Sequence, residues 1–119
     1  MKLTELFRHE TDLETLGAGQ TLFSEGEKGE LMYILMSGTA MILVRNKLVE
    51  TAEAGAIVGE MAMIDDNATR TATVVAKTDC KLLPIERCRF NFMIQQTPNF
   101  ALHVMRVIAD RLRRADSNM

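Results

Sequence analysis

The sequence contains few of the residues that several protein classes require. Among its 119 residues are two cysteines, Cys80 and Cys88, and two histidines, His9 and His103. Two thiols are too few for a disulfide framework or an iron–sulfur cluster, and they predict a reducing, cytoplasmic location. The histidines lie far apart and have no carboxylate or thiol at metal-ligand spacing. We therefore expect two buried thiols, no metal and no cofactor.

Hydropathy and charge argue against a membrane-spanning protein and against a nucleic-acid-binding protein. No apolar run approaches the roughly 20 residues that a membrane-spanning helix needs, and the N-terminus does not resemble a signal peptide. Lys and Arg number 14 against 16 Asp and Glu, which gives a net charge of −2. A protein that follows nucleic-acid phosphates normally needs a basic excess. We expect neither a membrane span nor direct DNA binding.

The composition is that of a globular protein. Apolar residues make up 47% of the chain and charged residues 25%, close to the usual proportions. A chain of this length can bury a sizeable core without disulfide or metal staples. Residues 1–119 are therefore predicted to form one domain.

The middle of the chain, residues 14–85, has the pattern of a β-protein. Short apolar or alternating runs are separated by turn-like clusters of glycine and polar residues, which is typical of antiparallel sandwiches and barrels. These runs are Thr21–Phe23, Leu31–Met36, Thr39–Val44, Leu48–Ala52, Thr71–Ala76 and Cys80–Ile85. The prediction is an antiparallel β-roll, that is, a jelly-roll-like double-stranded β-helix.

Helical periodicity flanks this roll, so the predicted fold class is mainly β with flanking α. Residues 4–10 predict a short amphipathic helix with Thr4 as its N-cap. Residues 86–96 predict a second helix, and Pro98 opens a third that runs to about Ala115. The third helix has an apolar stripe at steps of three and four residues. The stripe consists of Phe100, Val104, Val107, Ile108 and Leu112.

The segment between the predicted strands near residues 50 and 71 is too long for a hairpin loop, and such loops are usually functional. Gly59 to Ile64 has room for little more than one helical turn, whose free N–H groups would attract a phosphate. Arg70 could bind the same phosphate bidentately, and the Glu60 carboxylate suits a sugar hydroxyl. Together they indicate a nucleotide-sized ligand. The alternative is an exposed loop with a weak Glu60–Arg70 ion pair.

Two motifs carry a family resemblance. The pattern Gly59-Glu60-Met61-Ala62, followed by Arg70-Thr71-Ala72-Thr73-Val74, resembles the phosphate-binding cassette of cyclic nucleotide-binding domains. Residues 23–38 resemble the glycine-punctuated strand pair of the same family. The motifs occur in the family's order, and the resemblance covers residues 12–114. It implies a stand-alone sensor domain like that of the catabolite activator protein, and not an enzyme.

The resemblance implies roles for the residues of the cassette. Gly59 lets the backbone approach the ligand, and Glu60 accepts a hydrogen bond from the ribose 2′-hydroxyl. Met61 and Ala62 offer backbone N–H groups. Arg70 pairs with the single negative charge of the cyclic phosphate.

Further residues follow from the same resemblance. Thr71 and Ala72 continue the phosphate wall, and Val58 stands where the family often has an aromatic residue. A threonine after the cassette arginine is similar to members that accept cGMP, but other members with small hydroxyl residues at this position prefer cAMP. The resemblance therefore makes cAMP the first expectation and cGMP the second. In relatives the C-terminal helix covers the base, relays occupancy and often forms a dimer. Arg111 is the polar residue of this helix best placed for a base contact.

Three hypotheses about function remain open. The first is a cyclic nucleotide sensor that signals through its C-terminal helices, as a homodimer or with an effector protein. The second is a protein-interaction module of the same fold without a ligand. The third is the sensor part of a transcription regulator, since the helix–turn–helix domain of such relatives would begin where this sequence ends.

Overall fold

The structure, a computed structural model, describes residues 1–67 and 69–117, without the side chains of the last two. Ala68, part of the cassette loop, and residues 118–119 lie outside the described residues. The strands are β1 (Glu14–Leu16), β2 (Thr21–Phe23), β3 (Leu31–Ser37), β4 (Ala40–Val44), β5 (Lys47–Ala52), β6 (Ile57–Val58), β7 (Thr73–Ala76) and β8 (Cys80–Glu86). The helices are α1 (Leu3–Leu6), α2 (Met61–Ile64), α3 (Arg87–Gln96) and α4 (Pro98–Ser117).

The strands form two four-stranded sheets, with the orders β1-β8-β3-β6 and β2-β7-β4-β5. Their pairings are antiparallel. Leu35 and Leu82 from the first sheet and Ile42 and Val74 from the second belong to one buried cluster, so the sheets pack against each other. The predicted antiparallel β-roll with flanking helices is confirmed.

The central strand β3 is buried on both faces because its side chains alternate between two cores. Leu35 belongs to the core between the sheets, whereas Met32 and Ile34 belong to a second core with the helices. In this second core the ring of Phe100 makes edge-to-face contacts with Phe90, at 6.0 Å between centroids, and with Phe7, at 6.4 Å. α4 is therefore anchored near its start to both α3 and the N-terminal segment.

Several predicted boundaries are wrong by a few residues. α1 spans only Leu3–Leu6, and Lys2 rather than Thr4 occupies its N-cap position, without a side-chain hydrogen bond. The strand expected from Thr71 begins at Thr73. β1 and β6 were not predicted, because strands of three and two residues are too short to show an alternating pattern.

The expectation that both thiols are buried is wrong in part. Cys80 is buried, but Cys88 is exposed, because it lies two residues from Phe90 on α3 and thus away from the face that enters the core. The stripe of α4 leaves the core at its end, where Leu112 is 63% exposed. Among the described helices, none is long and apolar enough to cross a membrane.

Candidate functional site

A cavity of about 60 Å³ lies at the long loop that follows β5. It brings together all the residues for which the sequence predicted ligand contacts. These residues are Val58, Gly59, Glu60, Met61, Ala62, Arg70, Thr71, Ala72 and Arg111. The volume is below the roughly 300–1,000 Å³ of ordinary ligand pockets. A nucleotide-sized molecule would therefore require side chains at the wall to move.

The side chain of Arg70 fits closely into the space beside this cavity. Its side chain is 8% exposed, and its guanidinium carbon lies 4.1 Å from the centre of the Phe23 ring, a cation–π arrangement. Nη1 donates a hydrogen bond to the Gly59 carbonyl oxygen at 3.4 Å. A Cβ atom at Gly29 would lie 2.1 Å from Nε of Arg70, and one at Gly59 would lie 2.6 Å from Nη1. Two glycines thus leave the space that the arginine fills.

The charge of Arg70 is only partly compensated. Within the described part of the chain, no ion pair includes Arg70, and its buried Nε has no hydrogen-bond partner. Burial lowers the pKa of Arg70, while electrostatic interactions with Tyr33, Glu27 and Glu60 act in the opposite direction. An arginine stays protonated in proteins even so. The site therefore holds a buried cation with an unused donor, an arrangement that an anion would complete.

Glu60 is also buried, with 7% of its surface exposed, and it pairs with α4 rather than with Arg70. Its Oε1 lies 2.8 Å from Nη1 of Arg111. Nη2 of Arg111 donates to the Ile57 carbonyl oxygen at 2.6 Å and to Glu50 at 3.2 Å. Burial opposes the charge on Arg111, but the contacts with Glu50 and Glu60 outweigh it, so its pKa is raised. The alternative of an exposed loop with a Glu60–Arg70 ion pair is wrong.

The short helix α2 begins directly after Glu60. Glu60 is in helical conformation at the N-cap and makes no side-chain capping bond. The Ala62 N–H, expected to face a phosphate, donates here to the Gly59 carbonyl oxygen at 3.2 Å. Ala62 and Met63 are buried in the core formed with the helices, which anchors one face of α2.

Residues 13–97 match the family model of the cyclic nucleotide-binding domain. The chain belongs to this family. The cavity described above therefore lies in a cyclic nucleotide-binding domain, at the segment that resembles the family's phosphate-binding cassette.

The cAMP-activated global transcriptional regulator CRP of Salmonella typhimurium is 28% identical over an alignment of 98 residues, and the alignment covers 78% of this chain and 47% of the regulator. A lysophospholipase of Chaetomium globosum is 29% identical over an alignment of 109 residues, which covers 82% of this chain and 7% of that protein. The catabolite activator protein of Thermus thermophilus superposes with a TM-score of 0.77 at 24% identity, covering 95% of this chain and 60% of that one. The chain thus spans about half the length of the curated regulator.

The residues that line the cavity without having been predicted as ligand contacts are Phe23, Gly29, Ile42, Thr69 and Val74. Phe23 and Gly29 belong to the recognised strand-pair motif, but the sequence does not show that Arg70 fits between them. Glu50 carries no sequence signal, since its contact with Arg111 depends on where α4 crosses the roll. Within the described chain, no group of three metal-ligating side chains could hold a metal ion.

Proposed function

We propose that this cyclic nucleotide-binding domain binds cAMP, or alternatively cGMP, in the cavity beside α2 and acts as a sensor rather than an enzyme. The observation that carries the proposal is the buried Arg70 guanidinium, which lacks both an ion-pair partner among the described residues and a partner for Nε. A cyclic phosphate diester has one negative charge and two free oxygens, which suit one planar guanidinium. Family membership supports the same ligand class.

The ribose would be recognised by Glu60. Its carboxylate is buried at the cavity and can accept a hydrogen bond from a 2′-hydroxyl, as the family resemblance implies. Val58, Thr71 and Ala72 line the remaining wall, and Arg111 stands close enough to the cavity for a base contact. Arg111 bonds to two carboxylates and a carbonyl oxygen, however, so a base contact would require it to give up some of these bonds.

The Glu60–Arg111 ion pair provides a route from the ligand to the C-terminal helix. A sugar hydroxyl that bonds to Glu60 must share or replace this pair, because both compete for the same carboxylate. A ligand can change the position of α4 only if it binds two arrangements of this helix with different affinities. We propose that this difference arises at Glu60, and that α4 transmits it.

The outward side of α4 is where a partner would receive the signal. Leu102, Met105 and Leu112 are 46%, 61% and 63% exposed, and their spacing of three and seven residues places them on one side of the helix. This side suits a second copy of the chain or an effector protein in the cytoplasm. Contiguous exposed apolar patches are typical of protein–protein interaction sites.

A ligand-free interaction module is the second candidate, and the small volume of the cavity favours it. Calorimetric titration of the wild-type chain with cAMP, cGMP and 5′-AMP separates the two candidates. The sensor hypothesis predicts saturable binding of a cyclic nucleotide and weaker binding of 5′-AMP, whose phosphate is not tied back to the ribose. No heat with either cyclic nucleotide would favour the interaction module.

A further inference from the structure

The C-terminal end of α2 is held by an arginine from another helix. Nη2 of Arg87, the first residue of α3, donates to the carbonyl oxygens of Ala62 at 2.7 Å and Asp65 at 3.1 Å. Its Nη1 pairs with the Asp66 carboxylate. The last carbonyl groups of a helix lack intrahelical partners, and basic side chains can supply them. One guanidinium therefore closes the end of the cassette helix.

A basic residue at position 87, in the first turn of α3, does not stabilise α3 itself. A cation in the first turn of a helix lies near the positive end of the helix dipole, which is unfavourable. Glu86, at the N-cap of α3, makes no side-chain capping bond. The contacts of Arg87 thus stabilise α2, not the helix that carries it.

The core alone does not enclose α2. On one side lies the ligand cavity, and on the other an open cleft of about 540 Å³; Ala62 lines both. The residues after the helix, Asp65 and Asp66, are exposed, and so is Ile64. Arg87 lines this cleft and bonds to the end of α2 across it. Arg87 thus bonds to the exposed end of α2, the helix of the cassette.

We propose that Arg87 is a positioning residue, which fixes the cassette helix to α3 and thereby couples occupancy of the cavity to the C-terminal helices. This inference rests on the proposed function. A ligand bonded to Glu60 acts on the start of α2, and Arg87 connects the end of α2 to α3. From α3 the connection continues to α4 through the contact between Phe90 and Phe100.

Amide hydrogen exchange, resolved by NMR, tests the first half of this inference on the ligand-free chain. Arg87→Gln leaves the Ala62 and Asp65 carbonyl oxygens without their donor. We expect exchange at the α2 amides to rise by about tenfold or more. Arg87→Lys keeps the charge opposite Asp66 but loses the planar fork, so its exchange rates should lie between those of Arg87→Gln and wild type.

Arg89→Gln is the matched control. Arg89 lies in the same turn of α3, is exposed to a similar extent (37% against 40% for Arg87) and also pairs with a carboxylate, that of Glu10. Its substitution removes this ion pair and a cation–π contact with the Phe7 ring, at 5.5 Å from the centroid, without touching the cassette, so α2 exchange should stay within about twofold of wild type. Equal α2 exchange in folded Arg87→Gln and Arg89→Gln would overturn the inference.

Titration with cAMP tests the second half. In Arg87→Gln we expect about tenfold weaker binding and smaller ligand-induced chemical-shift changes in α3 and α4 than in Arg89→Gln. Undiminished shift changes in Arg87→Gln would overturn the coupling role. If the wild-type chain bound no cyclic nucleotide, the proposed function would be wrong, and so would the proposed coupling between ligand and C-terminal helices. The ligand-free exchange comparison would still decide whether Arg87 positions α2.

Discussion

The Glu60 carboxylate and the Arg111 guanidinium form an ion pair, with 2.8 Å between Oε1 and Nη1, that joins the cassette to the last helix. Both side chains line the cavity. Arg111 also bonds to Glu50 on β5, so one guanidinium links α4 to two separate parts of the roll. The position of α4 is thus tied to the carboxylate proposed to bind the sugar.

This ion pair predicts a stability difference between two arginines of α4. Arg111→Gln leaves Glu60 and Glu50 without their shared partner, and we expect a loss of about 1–3 kcal/mol in the free energy of unfolding. Arg114 also bonds to Glu50 but is 54% exposed, so Arg114→Gln should cost less than about 1 kcal/mol. Urea denaturation measures both values. Equal losses would contradict the role assigned to Arg111.

The close fit of the Arg70 side chain predicts that one small substitution impairs ligand binding. Gly29→Ala would place a methyl group 2.1 Å from Nε of Arg70, so the guanidinium must leave its position over Phe23. We expect cAMP binding to weaken by about 1–3 kcal/mol in calorimetry, as for a charged hydrogen bond lost to poor geometry. Gly17→Ala is the control, because its methyl group would meet only the flexible Gln20 side chain. Unchanged cAMP affinity in Gly29→Ala would show that Arg70 does not bind the ligand from its position over Phe23.

His103 predicts a pH dependence of stability. Burial lowers its pKa, and the positive charges of the N-terminus and Arg106 lower it further. Just below the unfolded-state pKa of about 6.5, the unfolded chain therefore binds more protons than the folded one, and stability falls as the pH decreases. Thermal unfolding between pH 7.5 and 5 should show a shallower fall for His103→Gln than for wild type. Equal slopes for His103→Gln and wild type would contradict this prediction.

The sequence predicts the roll well because its longer strands carry the pattern of two-sided packing. The predicted bounds Leu31–Met36 and Cys80–Ile85 agree with β3 and β8 to within one residue. β6 was missed because two residues carry no period, and it is defined only by its pairing with β3. The helix predicted for residues 4–10 is too long, since its apolar periodicity continues through Phe7 while α1 ends at Leu6, with Phe7 as its C-cap.

The candidate site could likewise be predicted only in part from the sequence. The cassette residues are close in sequence, so their grouping could be predicted, and all of them line one cavity. Their pairing could not, because Glu60 bonds to Arg111 rather than to Arg70. That choice depends on how α4 crosses the roll. The contact of Arg87 with α2 depends in the same way on the packing of α3.

The most direct test of the central claim is calorimetric titration with cAMP of wild type, Arg70→Ala and Arg70→Lys, with Arg106→Ala as an exposed-arginine control. Arg70→Ala removes a buried cation that has no ion-pair partner among the described residues, so the fold should persist, as circular dichroism would verify. We predict cAMP binding by wild type and Arg106→Ala, a loss of about 2–5 kcal/mol in Arg70→Ala and a smaller loss in Arg70→Lys. Equal affinity in wild type and Arg70→Ala, or no binding by wild type, would contradict the account.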